Sequence, residues 1–303
     1  MEKVKTIISL IIIIICLPYL VTFVVQGDFL NDNNQEENSE QAVYQQDTGQ
    51  LILTVASEMP VTYEKEALKA QMVIARTNLN YARENDQAEP ERISQEDMRE
   101  RLGAEEYQKC YELLQSCAEE TAGEMITYQD KIVQIPYHYV SAGKTRDESE
   151  VDEKKAMPYL KSVSSANDLR SERFLKIEFF SKKQFRNKLK SAYPEVKFPE
   201  ESVEKMASVK KRDSSSYVLS VEIPGKMISG EEFRNIFTLN STCFSIKEVD
   251  GQVRIVTKGY GQGYGMSQFG ANEMAKEGSS YKEILEHYYS GITVKPFISV
   301  GNE

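Results

Sequence analysis

One stretch constrains this chain more than any other: Ile7 to Val25, nineteen residues with almost no polar side chain, preceded by Lys3 and Lys5. As a helix rising ~1.5 Å per residue it spans roughly 28 Å, close to the ~30 Å hydrocarbon core of a bilayer. Positive residues ahead of such a run hold the N-terminus in the cytoplasm and send the rest outside. Pro18 is tolerated in a spanning helix. A cleaved signal peptide is the rival reading, but its apolar region is shorter and ends in a small-x-small site. Phe23-Val24-Val25-Gln26 offers no such site. Residues 1–27 are therefore expected to be a single-pass membrane anchor. Residues 28–47, dominated by Asn, Gln, Glu and Asp, have little to bury and read as a flexible linker. That leaves 48–303 as one exported domain.

The 37 Lys and Arg are outnumbered by 47 Asp and Glu, a formal charge of −10. A general nucleic-acid binder needs the opposite balance facing phosphates, so no nucleic acid is expected. Of four cysteines, Cys16 lies in the apolar run. Cys110 and Cys117 fall in one helical pattern, roughly 10 Å apart along the axis, beyond the reach of a disulfide. No CxxC or Cys/His cluster suggests a structural metal. With only His138 and His287 in the chain, a Ser-His-Asp or Cys-His hydrolase has few options.

Beyond the linker the pattern is helical, then mixed. Thr48 to Glu58 forms a short helix ended at Pro60. Tyr63 to Glu84 carries Leu68, Met72, Ala75 and Leu79 at spacings of four, three and four, a buried stripe. Ser94-Gln95-Glu96-Asp97 resembles a helix start, and a further helix runs from Ala104 to Glu120. Met125–Thr127 and Ile132–Ile135 flank a turn as strands. Phe174–Phe180 and Tyr217–Ile223 alternate as strands do, with a helix over Lys182–Ala192 between them whose Phe185 and Leu189 face inward. Phe244–Ile246 and Val253–Lys258 frame the hairpin turn Asp250-Gly251, and Tyr281–Tyr288 is a terminal helix. Segregated helices and hairpins predict an α+β domain of mixed helices and antiparallel sheet.

Three constellations carry chemistry. In the first, Ser57-Glu58-Met59-Pro60 precedes a helix in which Lys69 and Arg76, seven apart, share a face. On residue chemistry alone Glu58 reads more readily as a solvated charge than as a catalyst, and ordinary surface charge is the plain reading of the two cations. In the second, Gly259 to Gly270 holds five glycines in twelve positions, with Tyr260, Tyr264, Ser267 and Gln268. Such a loop lets backbone approach a ligand, its tyrosines offer stacking faces, and it lacks the Lys of a phosphate-cradling loop. A structural turn is the plain alternative. In the third, Pro136 to Thr145 contains Tyr137, His138 and Ser141, and a hydrogen-bonded structural histidine is the simplest account of it.

The blocks SEMPVTYEKEALKAQMVIARTNLNYA, YHYVSAGKT, MPYLKSVSS, ISGEEFRNIFTLNSTCFSI and TKGYGQGYGMSQFGANEMAKEGSSYKEILEHYYSGITV occur in one order over residues 48–296. Together they resemble the stage II sporulation protein D family, which includes the amidase-enhancer domain. The resemblance implies a lytic transglycosylase that cuts the glycan strands of peptidoglycan during engulfment of the forespore. It implies a location in the cell membrane, with the catalytic domain on the mother-cell side of the sporulation septum. The implied partners are a cell-wall amidase and a polytopic membrane protein. The family's catalytic glutamate matches Glu58, and Lys69 and Arg76 match positions linked to activity. Tyr137, Ser141, Tyr264, Ser267 and Gln268 complete the candidate substrate contacts. Some members hold zinc through a histidine and nearby cysteines; here no cysteine lies between Cys117 and Cys243, and no metal or cofactor is expected. Gln262 stands where the family usually carries His.

A glycosidase normally needs two carboxylates, whereas a lytic transglycosylase manages with one. Glu58 would donate a proton to the leaving oxygen, then take one from the sugar's own C6 hydroxyl, giving a 1,6-anhydro product. That requires its pKa to rise from ~4.3 toward about 6 by burial. A cation beside it would oppose the shift, so Lys69 and Arg76 are not expected to pair with it. The alternative function is a glycan-binding activator of the amidase without catalysis of its own.

Overall fold

A computed structural model describes residues 48–151, 157–200 and 202–296. The expected anchor (1–27) and linker (28–47) lie outside the described residues. No helix among the described residues is long and apolar enough to cross a membrane.

The first core is built on one buried helix. After α1 (residues 48–58) comes α2 (Lys65–Glu84), starting two residues later than the periodicity suggested. Leu68, Met72 and Ala75 are fully buried and Leu79 nearly so. Burial does not stop at that stripe: α2 is buried on every side from Ala67 to Thr77. It is a central helix enclosed by neighbours, not a surface one with a single apolar face. Those neighbours include α4 (Ala104–Glu120), β1 (Glu124–Tyr128), α8 (Gln268–Lys276) and α9 (Tyr281–Tyr288). Between α2 and α4, α3 (Gln95–Leu102) begins where the Ser94 hydroxyl accepts the Asp97 N–H at 3.0 Å. That satisfies one of the four orphan donors of a helix N-terminus.

The second core belongs to β4 (Leu175–Ser181), α5 (Lys182–Ala192), α6 (Val203–Met206), β5 (Ser208–Arg212), β6 (Val218–Ile223), β7 (Lys226–Ser229), α7 (Gly230–Phe237), β8 (Phe244–Val249) and β9 (Gln252–Lys258). Phe185 and Leu189 of α5 are fully buried there. Phe185, Phe233, Phe237 and Phe244 stack at centroid separations of 4.6–4.8 Å, the offset geometry that aromatic quadrupoles favour. Two antiparallel sheets, ordered β4-β9-β8 and β5-β6-β7, frame this core. The β8–β9 turn places Asp250 and Gly251 at φ 51° and 74°, as a type I′ hairpin requires. Capping boxes at Ser181/Gln184, Ser229/Glu232 and Ser280/Glu283 start α5, α7 and α9. Both cores lie within a single compact unit.

Several expectations need correction. The helix α9 is not terminal: β11 (Thr293–Pro296) follows and pairs antiparallel with β1. The second strand of the early hairpin is only β2 (Lys131–Ile132). The sheet is not wholly antiparallel, because β3 (Tyr137–His138) runs parallel to β10 (Met266–Ser267). This short pair joins two of the sequence constellations. It depends on Gly265, where a Cβ would lie 1.9 Å from the Pro136 carbonyl oxygen, and on Gly261, where one would lie 2.6 Å from the His138 Cβ. Both glycines also have positive φ, so any side chain there is strained as well as blocked.

Candidate active site

Glu58 sits on the last turn of α1, which cannot continue through Pro60. Met59, its neighbour, is buried in the first core and fixes the end of the helix. The Gln71 side-chain amide donates to Glu58 Oε2 at 2.8 Å. The Tyr137 hydroxyl donates to the same carboxylate. Gln268 contributes from the far end of the chain: its Nε2 donates to the Glu58 backbone carbonyl at 2.9 Å and to Gln71 Oε1 at 3.3 Å. The last contact settles the orientation of the Gln71 amide. With its oxygen engaged by Gln268, its N–H groups are left for the carboxylate.

Tyr137 reaches Glu58 because its segment is fastened to α2. The Asn78 amide donates to the Ile135 carbonyl at 2.9 Å and accepts the Ile135 N–H at 2.7 Å, a side chain standing in for a ladder partner. Together Glu58, Asn78, Tyr81, Gln134, Tyr137 and their neighbours line a cleft of ≈ 400 Å³. Among the described residues lining it there is no Lys or Arg. Burial therefore dominates the Glu58 carboxyl and pushes its pKa above the ordinary 4.5, while the bonds from Tyr137 and Gln71 pull partly back. Glu91 is a second carboxylate on the rim, in an exposed position.

The other candidates lie elsewhere. Lys69 and Arg76 share a face of α2, but that face is turned to α4. Lys69 is held by Glu66 at 2.8 Å and Glu120 at 3.4 Å, over the Tyr281 ring. Buried Arg76 donates to the carbonyls of Ala118, Thr121 and Glu124 at 2.7–3.3 Å. It satisfies the open carbonyls at the C-terminus of α4, where a cation also complements the helix dipole. Neither lines the cleft.

Ser141 and Ser267 are wholly buried and meet through a residue not anticipated from sequence. The carboxylate of Asp168 accepts the Ser141 N–H and the Ser267 hydroxyl, each at 2.8 Å. Ser267 also accepts the Gly270 N–H and caps α8. Burial raises the Asp168 pKa and the serine bonds oppose it. Tyr264 lies half-buried under the Arg146 guanidinium, 4.5 Å from ring centroid to cation; Arg146 is itself paired with buried Asp213 at 2.7 Å. His138 is buried, with Nδ1 donating to the Tyr264 carbonyl at 2.9 Å. Burial holds its pKa down to about 4, so the ring is neutral near pH 7. Among the described residues no three His, Cys, Asp or Glu side chains are grouped as metal ligands.

Of the candidates, then, Glu58, Tyr137 and Gln268 come together, joined by Gln71. The missed Gln71 was visible only as a polar residue inside the apolar stretch of α2. Asp168 gave no signal, since an isolated Asp in a loop is normally solvated.

Residues 31–128 match a family model described as Stage II sporulation protein. Over 258 residues the chain is 33% identical to the stage II sporulation protein D of Bacillus amyloliquefaciens, covering 80% of this chain and 72% of that protein. It is 31% identical over 258 residues to the stage II sporulation protein D of Bacillus subtilis (strain 168), covering 80% and 73%. A stretch of 90 residues, 29% of this chain and 13% of the relative, is 37% identical to the amidase enhancer of Bacillus subtilis (strain 168). The order of the sequence blocks, the meeting of three of them at Glu58 and this likeness over most of both chains lead to one conclusion: the chain belongs to the stage II sporulation protein D family.

Proposed function

We propose that this protein is a peptidoglycan lytic transglycosylase in which Glu58 is both acid and base. The observation that carries the reading is one buried carboxyl in a polar cleft that has no Lys or Arg among the described residues lining it, its pKa raised by burial and its geometry fixed by two donors. Raised above the ordinary range, Glu58 keeps a proton to give to the glycosidic oxygen. As the C1–O bond breaks, the carboxylate is left charged. The Tyr137 hydroxyl and the Gln71 amide then bond to a full negative charge, and such bonds strengthen with charge. The carboxylate next takes the proton of the C6 hydroxyl, whose oxygen closes on C1 to give the 1,6-anhydro ring. No water is consumed and Glu58 is restored to its protonated state.

In this reading Ile7–Val25 anchors the protein in the cell membrane with the cleft outside, on the mother-cell side of the sporulation septum. Partners are a cell-wall amidase that strips stem peptides and a polytopic membrane protein of the engulfment machinery. The test is to incubate the purified full chain with peptide-free glycan strands and weigh the products. Anhydro-muramic ends support the assignment; intact strands sink it. The likeness to an amidase enhancer favours one second reading, a glycan-binding activator of that amidase. It predicts intact strands together with faster peptide release by added amidase.

A further inference from the structure

The outer edge of the second core carries an unpartnered strand. In the sheet ordered β4-β9-β8, β4 is an edge strand seven residues long without proline. Leu175, Ile177 and Phe179 point away from the core, 49%, 49% and 55% exposed. Long apolar edges invite pairing, and proteins usually blunt them with charge or proline. The Gly259 N–H donates to the Phe174 carbonyl. By the alternation of an antiparallel ladder, Lys176, Glu178 and Phe180 then bond to β9. The N–H and C=O groups of Leu175, Ile177 and Phe179 face the free edge. Among the described residues no turn or loop hydrogen bond uses them.

The charges on β4 decide what fits. Lys176 and Glu178 share the inward face, 3.1 Å apart, and the second carboxylate oxygen of Glu178 is buried with no hydrogen-bond partner. One inward charge would repel an added strand, but Lys and Glu two residues apart are self-complementary. If β4 pairs antiparallel with a second β4 about Ile177, Lys176 of each copy lies opposite Glu178 of the other. Leu175 then lies opposite Phe179, and Ile177 opposite itself. The outward-facing groups fall in register as hydrogen-bonded pairs, making about six N–H···O bonds. The Lys–Glu pairs fall at the closer, non-hydrogen-bonded positions, where cross-strand side chains interact most.

We infer that β4 is a homodimer interface, joining two copies through a continuous six-stranded sheet about a two-fold axis at Ile177. No residue lining the Glu58 cleft belongs to β4, and the inference stands apart from the proposed reaction.

Site-specific disulfide trapping of the full chain in detergent tests this. Paired residues at the two-fold lie about 5.5 Å apart between Cα atoms, within disulfide range. Under mild oxidation Ile177→Cys should give a covalent dimer, whereas the wild type and Met227→Cys, on an exposed residue of β7, should not. In the Ile177→Cys background, adding Lys176→Glu should lower the yield about tenfold by setting like charges opposite twice. The double exchange Lys176→Glu with Glu178→Lys should restore it. Absence of dimer with Ile177→Cys, an equal yield from Met227→Cys, or no rescue by the double exchange overturns the interface.

Discussion

The Gln71 amide donates to the Glu58 carboxylate at 2.8 Å while its own oxygen is engaged by Gln268 at 3.3 Å. Glu58, near the start of the described residues, is thus positioned by a residue 210 positions away from it. Gln268, expected to touch sugar, instead holds the backbone and the amide that hold the carboxylate.

Replacing Glu58 with Gln keeps the shape of the side chain and removes its proton chemistry. Release of anhydro-sugar from peptide-free glycans should fall by about 10²–10⁴-fold, the range for loss of a general acid–base. Glycan binding, measured by pull-down on insoluble strands, should persist.

The donors to Glu58 stabilise its charged form and so lower its pKa, Tyr137 more than Gln71. Tyr137→Phe and Gln71→Leu should each raise that pKa further. A general acid fails once it ionises, so the alkaline limb of the pH–rate profile should move to higher pH, farther for Tyr137→Phe. Gln268→Ala should change the limb through Gln71, with kcat lowered more than KM is raised. Unmoved limbs in all three would refute the arrangement.

Stability should report the same group. The folded pKa of Glu58 lies above its ordinary 4.5, so between the two values the folded state holds more protons than the unfolded one. Its contribution is then fully present below about pH 4.5 and is lost as pH rises through the folded pKa. Glu58→Gln should be more stable than wild type at neutral pH, with the difference vanishing toward pH 4 in thermal melts. His138, with its pKa held down to about 4, acts oppositely: its contribution is lost as pH falls from about 6.5 through 4. The comparison must therefore be between the two proteins at each pH.

Arg76 separates a structural role from a substrate role. Arg76→Ala leaves the carbonyls of Ala118, Thr121 and Glu124 without their buried donor. The expected cost is about 3 kcal/mol, read as a shifted denaturant midpoint. Activity per folded molecule should change little, which a glycan contact would not allow.

Much of the local structure was legible. The Ser94 start, the α5 helix with Phe185 and Leu189, and the Asp250-Gly251 hairpin all depend on contacts spanning a few residues. The site was less so. Lys69 and Arg76 do share a face, but periodicity cannot say what a face meets, and α4 meets this one. Ser141 and Ser267 stood among the candidate substrate contacts, and a serine hydroxyl can hydrogen-bond a sugar only where it is accessible. Asp168 draws both inward, and nothing adjacent to it in sequence announces that. The β3–β10 pair is two residues long and parallel, too short to leave a periodic trace.

The sequence by itself determined the helices and hairpins, because propensity, capping and turn chemistry act over a few neighbouring residues, while Glu58 was singled out only by the family resemblance of its block. Only the tertiary structure decided what Glu58 became: a carboxyl freed of nearby cations, raised by burial and gripped by Gln71 and Tyr137. Those properties arise from desolvation and from bonds between segments far apart in the chain, and neither exists until the first core has closed around α2.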